Sequence, residues 1–241
     1  MSVTWHIKEF EECESTFNEA RKLPPWSVVN CERQTRGRGR FNRAWFGSQG
    51  GLWATYNLPL DPKSPRHWGL LPLVAGAAIM EALKAYKIKG LRLRWPNDVL
   101  VGKAKLAGIL VERPSATMVS IGIGINVFND IQELEGKTQD SVVRLSDLVP
   151  MCPSIRKLRT ILGDCLEEIF EYYCESGMEA IVPLLSQAWD GSRPVVAITD
   201  KERICGHFAG VEFDGSPIIR KADGSTITVP GITVNRMKEL I

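Results

Sequence analysis

The 241-residue sequence is short of several things that would each place it in a broad class. No apolar run approaches the roughly 18 residues needed to cross a bilayer. The opening MSVTWHIKEFEECE has none of the basic-then-apolar pattern of a secretory leader, so the expectation is a cytoplasmic chain with no membrane partner. Histidine is scarce. His6, His67 and His207 are far apart, and only His207 has a cysteine nearby, Cys205, which argues against a metal cage. Cys13, Cys31, Cys152, Cys165, Cys174 and Cys205 are scattered without CxxC spacing and read as reduced thiols, not as zinc ligands or a disulfide frame. An excess of charge is missing too: a net +2 argues against a general nucleic-acid binder and makes any basic function local. Neither GxxxxGK[ST] nor GxGxxG occurs, which removes the phosphate-loop and dinucleotide fingerprints.

What is present is enough apolar residue, 44%, for a substantial core, and a central stretch, Leu91 to Glu112, in which two apolar runs bracket a polar insert. Leu91-Arg92-Leu93-Arg94-Trp95 alternates at period two, as a half-buried strand does. Pro96 removes a backbone donor and should interrupt the ladder, leaving Asn97 and Asp98 at the break. Val99 to Val101 resumes a strand, Gly102 to Lys105 makes a turn, and Leu106 to Val111 returns with Gly108 inside it. A glycine within a strand often marks close approach by backbone or ligand. Taken singly, each of these residues is an ordinary turn residue or a solvated lysine; together they mark a site.

A second polar segment runs from Arg33 through Gln34, Arg36, Gly37, Arg38, Gly39 and Arg40 to Arg43. It has no apolar periodicity and is expected to be a mobile loop. Glycine lets backbone N–H groups approach an anion, and arginine offers a planar fork that matches carboxylate or phosphate. A solvated basic loop and an RNA-binding segment are the alternatives. Upstream, Ser15 and Thr16 precede a helix-forming run, with Glu19 completing a capping box, although a helix start with free hydroxyls also suits a small polar ligand. Trp45 is a core residue or a stacking face for a base. Met118 to Val127 is a buried strand ending in Gly122-Ile123-Gly124-Ile125-Asn126, where Asn126 could satisfy a purine, a ribose or the backbone.

Ser15-Thr16, Gln34 with Gly37-Arg38-Gly39-Arg40, Trp95-Pro96-Asn97-Asp98 with Lys105 to Leu110, and Gly122 to Val127 stand in the order found in biotin protein ligases, which the sequence resembles. The resemblance is strong over about residues 1–130 and loose beyond. It implies biotin as substrate, ATP with magnesium for activation, and a biotin carboxyl carrier domain as the acceptor of biotin on a lysine. It implies that Ser15, Thr16, Phe17 and Gln34 bind the ring end of biotin. Arg38, Gly39 and Arg40 would close over its carboxylate and the phosphate, with Lys105 bridging both anions. Arg40, Arg43, Trp45, Asn97, Lys105 and Asn126 would face ATP. Asp98 would organise magnesium or the arginines, with no protein metal site as such. Lys105, Arg40 and Asp98 are the expected catalytic set. The chemistry agrees with the residues, because a carboxylate attacking a phosphate needs two anions held together and no protein nucleophile. Phe17 stands where the family usually has asparagine, Asn42 where a glycine is common and Arg94 where lysine is usual.

The resemblance further implies an α/β (α+β) fold: a mixed β-sheet flanked by helices, like the class II aminoacyl-tRNA synthetase and biotinyl/lipoyl ligase catalytic fold. A small C-terminal SH3-like β-barrel would follow. Residues 1–189 would form the catalytic domain and residues 190–241 the barrel. Helical periodicity at Leu70 to Tyr86 and Ser154 to Tyr173, and a helix ending near Trp189, read as packing elements; the turns after Gly191 read as short antiparallel strands. With about 14 residues before Ser15, no helix-turn-helix and no DNA binding are expected, and the oligomeric state, monomer or homodimer, is open. A lipoate or octanoate protein ligase is the first alternative reading, and a non-catalytic nucleic-acid binder the second.

Overall fold

The computed structural model describes residues 3–64, 67–132, 141–189 and 193–240. In chain order β1 (His6–Cys13), α1 (Thr16–Ala20), β2 (Ser27–Arg38), β3 (Ala44–Gly47) and β4 (Leu52–Pro59) come first. After α2 (Leu71–Lys84) follow β5 (Leu91–Arg94), β6 (Asp98–Val101), β7 (Ala104–Glu112) and β8 (Met118–Ile125). These strands form one sheet in the order β1-β2-β4-β8-β7-β6-β5, with β3 paired to β2 off that path. β1 and β2 are parallel, while β4, β8, β7, β6 and β5 continue antiparallel, giving the mixed sheet expected.

The alternation of β8 explains how the sheet separates core from site. Ile121, Ile123 and Ile125 belong to the hydrophobic core, under α2, α3 (Ile155–Ser176) and α4 (Met178–Ala188). Ser120, Gly122, Gly124 and Asn126 alternate with them and face the other way. The helix layer is held by the apolar stripe of α3, where Leu158, Leu162 and Leu166 are fully buried, each contributing about 1.5–3 kcal/mol. Ser154 caps α3 by accepting from the Lys157 N–H at 3.3 Å.

The C-terminal strands β9 (Pro194–Thr199), β10 (Arg203–Val211), β11 (Pro217–Arg220), β12 (Thr226–Thr228) and β13 (Val234–Glu239) form an antiparallel sheet ordered β12-β11-β10-β9-β13. This is the small all-β unit expected; Gly191 lies outside the described residues. Two polar ties fasten this sheet to the central hairpin. Trp95 Nε1 donates to the Gly215 carbonyl at 3.0 Å, and Arg92 makes a two-pronged pair with Glu239 at 2.5 Å on each arm. Among the described residues no helix is long and apolar enough to cross a membrane.

Two local expectations are corrected. The segment expected to be a mobile arginine loop is largely strand: β2 runs through Arg38, and the chain turns at Arg40–Asn42 into β3. The arginines find fixed partners there, Arg33 with Glu12 at 3.2 Å and Arg36 with Glu14 at 3.3 Å across the parallel pair, so polarity does not imply a loop. Nor does the capping box form. Ser15 is the N-cap of α1 but its side chain makes no cap bond, because Thr16 is turned toward β2 instead.

Candidate active site

The glycine face of the sheet, α1, the β2–β3 hairpin, the Trp95–Asp98 break and β13 enclose a cavity of about 730 Å³. Its lining includes Thr16, Phe17, Gln34, Arg38, Gly39, Arg40, Arg43, Trp45, Asn97, Asp98, Lys105 and Asn126. All the residues expected from sequence are therefore gathered except Ser15. That residue is buried behind the lining, its hydroxyl without a partner.

One end of the cavity is neutral. Thr16 N–H and Oγ–H both donate to Gln34 Oε1, at 2.9 and 3.2 Å, and Thr55 donates to Thr16 Oγ1 at 2.7 Å. Two aromatic rings cover the glycines of β8. A Cβ added at Gly122 would collide with the Phe17 ring, and one at Gly124 would lie 2.6 Å from Trp45 Cζ2. Gly108, opposite Gly124 in the β7–β8 register, is covered by the same indole, at 2.8 Å. The strand glycines thus exist to let rings approach the sheet.

The other end is cationic and is built on the broken hairpin. The peptide between Trp95 and Pro96 is cis, β5 stops at Arg94, and β6 starts at Asp98. Asn97 bridges this gap: its backbone carbonyl accepts from Ile109 N at 2.9 Å, and its Nδ2 donates to the Ile109 carbonyl at 2.9 Å. That leaves Asn97 Oδ1 to accept from Arg40 Nη1 at 3.2 Å. Asp98 lies between Arg94 and Lys105, 2.6 Å from each. Lys105 also sits 5.0 Å from the Trp45 ring centroid. It stands on β7, not in the turn where the sequence placed it. Burial lowers the Arg40 pKa, Asp98 opposes that shift and Arg43 adds to it; the guanidinium remains charged at neutral pH.

Arg38 turns partly outward to Glu112, 3.3 Å away, and Arg43 faces Phe41, with its guanidinium carbon 6.0 Å from the ring. Asn126 donates to the Leu106 carbonyl at 3.2 Å and accepts from Asn129 at 3.0 Å, so here its amide serves the backbone and a neighbour. Sequence reasoning missed Lys103 and the β13 residues Asn235, Arg236, Met237, Lys238 and Glu239, all of which line the cavity. Arg92, three residues before Trp95, was the available signal: a basic residue at an inward strand position needs a buried acidic partner, which β13 supplies.

The cavity offers few ligands for a metal. Its acids, Asp98 and Glu239, are each paired with a cation, and no group of three potential metal ligands exists among the described residues.

Residues 12–126 match the sequence model of the Biotin/lipoate A/B protein ligase family. Over that stretch the chain is similar to this family. It is 31% identical over 206 residues to the bifunctional ligase/repressor BirA of Escherichia coli, covering 79% of this chain and 60% of that one. It is 33% identical over 132 residues to the protein of the same name from Bacillus spizizenii, covering 51% of this chain and 39% of the other. The chain thus spans about half the length of the curated relatives it matches. Among solved structures it resembles the biotin protein ligase from Aquifex aeolicus in complex with biotin and ATP. The TM-score is 0.84 at 23% identity, covering 98% of this chain and 99% of that one. That likeness shows the fold: a mixed sheet flanked by helices, followed by an antiparallel C-terminal sheet.

Proposed function

We propose that this protein is an ATP-dependent ligase that activates biotin as biotinyl-5'-AMP and transfers the biotinyl group to a lysine of a biotin carboxyl carrier domain. The observation that carries the proposal is the polarity of one cavity. A neutral, ring-walled end with Thr16 and Gln34 opens onto a cationic end with Arg38, Arg40, Arg43 and Lys105. A carboxylic acid laid along it places its body on the glycine face and its carboxylate among the cations. The α-phosphate of ATP must come to the same place, and two anions repel. Arg40, anchored by Asn97, and Lys105, anchored by Asp98, supply fixed positive charge where charge accumulates as the carboxylate oxygen bonds to the phosphorus and pyrophosphate leaves. In the second step the carrier lysine's neutral amine attacks the acyl carbonyl, an amide forms, AMP departs and the amine's proton passes to solvent. No protein nucleophile takes part, and magnesium accompanies the nucleotide.

Relatives named as biotin ligases and a solved neighbour holding biotin and ATP support this reading. The family's other acids, lipoate and octanoate, are the competing substrates. The test is acid-dependent exchange of labelled pyrophosphate into ATP, followed by transfer to a carrier domain. Biotin is expected to drive both; exchange that needs no acid, or none at all, rejects the proposal.

A further inference from the structure

Lys105 stands on the wrong face of β7 for a regular strand. Gly108 faces the cavity beneath the Trp45 ring, and Ala107 and Ile109 belong to the core, so counting back at period two puts Lys105 on the core side. Yet a Cβ at Gly108 would lie 3.1 Å from Lys105 Cε, and the ammonium reaches the Asp98 carboxylate at 2.6 Å, both on the cavity side. The cause is a slip in the β6–β7 ladder. Val99 faces Ala107 but Leu100 faces Lys105, so Leu106 has no partner on β6 and is fully buried in the core.

A bulge in a buried place frees backbone groups that need other partners. The Lys105 N–H donates to the Ser141 carbonyl at 2.7 Å, and the Lys105 carbonyl accepts from the Val143 N–H at 3.1 Å, a parallel bridge centred on Val142. The Leu106 carbonyl accepts from the Asn126 N–H at 3.0 Å and from its Nδ2 at 3.2 Å. The segment that receives Lys105 is itself fastened. Val143 packs on the core, Leu145 is fully buried, and the N–H groups of Leu145 and Ser146 reach the Asn126 and Val127 carbonyls at 2.9 and 3.1 Å.

We infer that residues 141–143 are a positioning strap for Lys105, and that Val143 acts on the first reaction step through its backbone N–H. The inference rests on the ligase reading. Both backbone groups of Lys105 are held by the strap and not by β6, so the strap sets the direction in which the side chain leaves β7. A long side chain magnifies any rotation at its Cα, and a displacement of about 1 Å at a reacting group can cost about 10²-fold in rate. Ser141, Val142 and Val143 carry no charge, and the Val143 N–H is spent on Lys105, so its effect on the reaction has to pass through that residue.

Replacing Val143 by its α-hydroxy acid analogue, through cell-free nonsense suppression, turns one amide into an ester, deletes the N–H and keeps the side chain. Made on the full chain in the parent and in Lys105→Ala, and followed by biotin-dependent pyrophosphate exchange, it completes a four-protein cycle. In the parent the ester should lower kcat about 10–100-fold while KM for biotin changes by no more than about twofold, as for an interaction felt in the transition state. In Lys105→Ala the same ester should cost no more than about twofold, because the group it positions is gone. Val143→Pro, which also lacks the N–H, repeats the cycle with an encoded residue. Losses of equal size in the two backgrounds would make the strap a support for the wall and overturn the inference, as would a folded ester variant with the parental kcat. In either case exchange by the parent leaves the ligase reading standing; a parent that shows no biotin-dependent exchange rejects that reading and the inference with it.

Discussion

Lys105 joins the Asp98 carboxylate, the Trp45 ring and the backbone of the cationic end. Its ammonium is 2.6 Å from Asp98 and 5.0 Å from the centre of the Trp45 ring, and its backbone N–H reaches the Ser141 carbonyl at 2.7 Å. Removing the side chain leaves the strand hydrogen bonds in place and leaves Asp98 with Arg94, so the fold has little reason to respond. The developing charge of the first step, by contrast, loses one of its two anchored cations. Lys105→Ala is therefore expected to lower acid-dependent pyrophosphate exchange by about 10²–10³-fold while thermal unfolding stays within a few degrees of the parent. Exchange at the parental rate would remove Lys105 from the mechanism. Residues of this kind were legible in the sequence because each sits inside a short motif. Trp95 to Asp98 announce a break, Lys105 a charge, and Gly122 and Gly124 a thin strand, each within its own short run. Thr16 was legible as a cap or as a ligand contact, but its hydrogen bond to Gln34 was not. Its actual partner, Gln34, is 18 residues away, and nothing in local spacing chooses between capping and that contact.

At the scale of elements, β1 shows how far charge can carry a strand. It is an edge strand, exposed over most of its length, and is carried by charge as much as by packing. Glu9 pairs with Arg159, which is buried on α3, and with Arg156 at 3.7 Å; farther along, Glu12 and Glu14 meet Arg33 and Arg36 of β2. The strand character of β2 beyond Cys31 was invisible for the same reason, since its neutralising partners lie on a different element. The hydrogen bond from Arg159 holds the Glu9 carboxyl below its ordinary pKa; partial burial pulls the other way, and the charges of Arg159 and Arg156 add to the lowering. A carboxyl with a depressed folded pKa contributes stability above its unfolded pKa and loses it as pH falls through the folded value. Acidification from neutral pH into and below the usual carboxylate range should therefore weaken the β1–α3 tether. Because Glu9 is half exposed, the contribution is up to about 1 kcal/mol. Urea unfolding at pH 7 and near pH 4 should show a smaller pH-dependent loss in Glu9→Gln than in the parent. Equal losses in the two proteins would place the acid sensitivity elsewhere.

For the whole molecule, the question is what makes two sheets act as one site. β13 contributes Asn235 to Glu239 to the cavity wall, yet its sequence carries no motif, and its partner on β5 is 147 residues away. Only the odd placement of a basic residue within an alternating strand hinted at the connection. Arg92 is 1% exposed, its Nε and Nη2 donate to the Gly102 carbonyl at 3.2 and 3.0 Å, and both its terminal nitrogens meet Glu239. It thus joins β5, the turn that leads to Lys105, and the C-terminal sheet. Removing one member of a buried pair strands the other charge, at a cost of about 3–5 kcal/mol, whereas replacing both with apolar groups of similar volume is often neutral or better. The two variants should therefore behave oppositely. Glu239→Ala is expected to destabilise by about that amount and to raise KM for ATP, since β13 loses its register against the cavity. Arg92→Met combined with Glu239→Leu should recover most of the stability. If the pair's function is only to hold the sheets together, the double variant recovers exchange as well. If its two-pronged geometry also sets where Arg236 and Lys238 face the cavity, stability returns and KM for ATP stays high. Denaturant unfolding and exchange kinetics on the same three proteins, compared as a cycle, separate the two; equal stability in Glu239→Ala and parent would show that the sheets are held by Trp95 and packing alone.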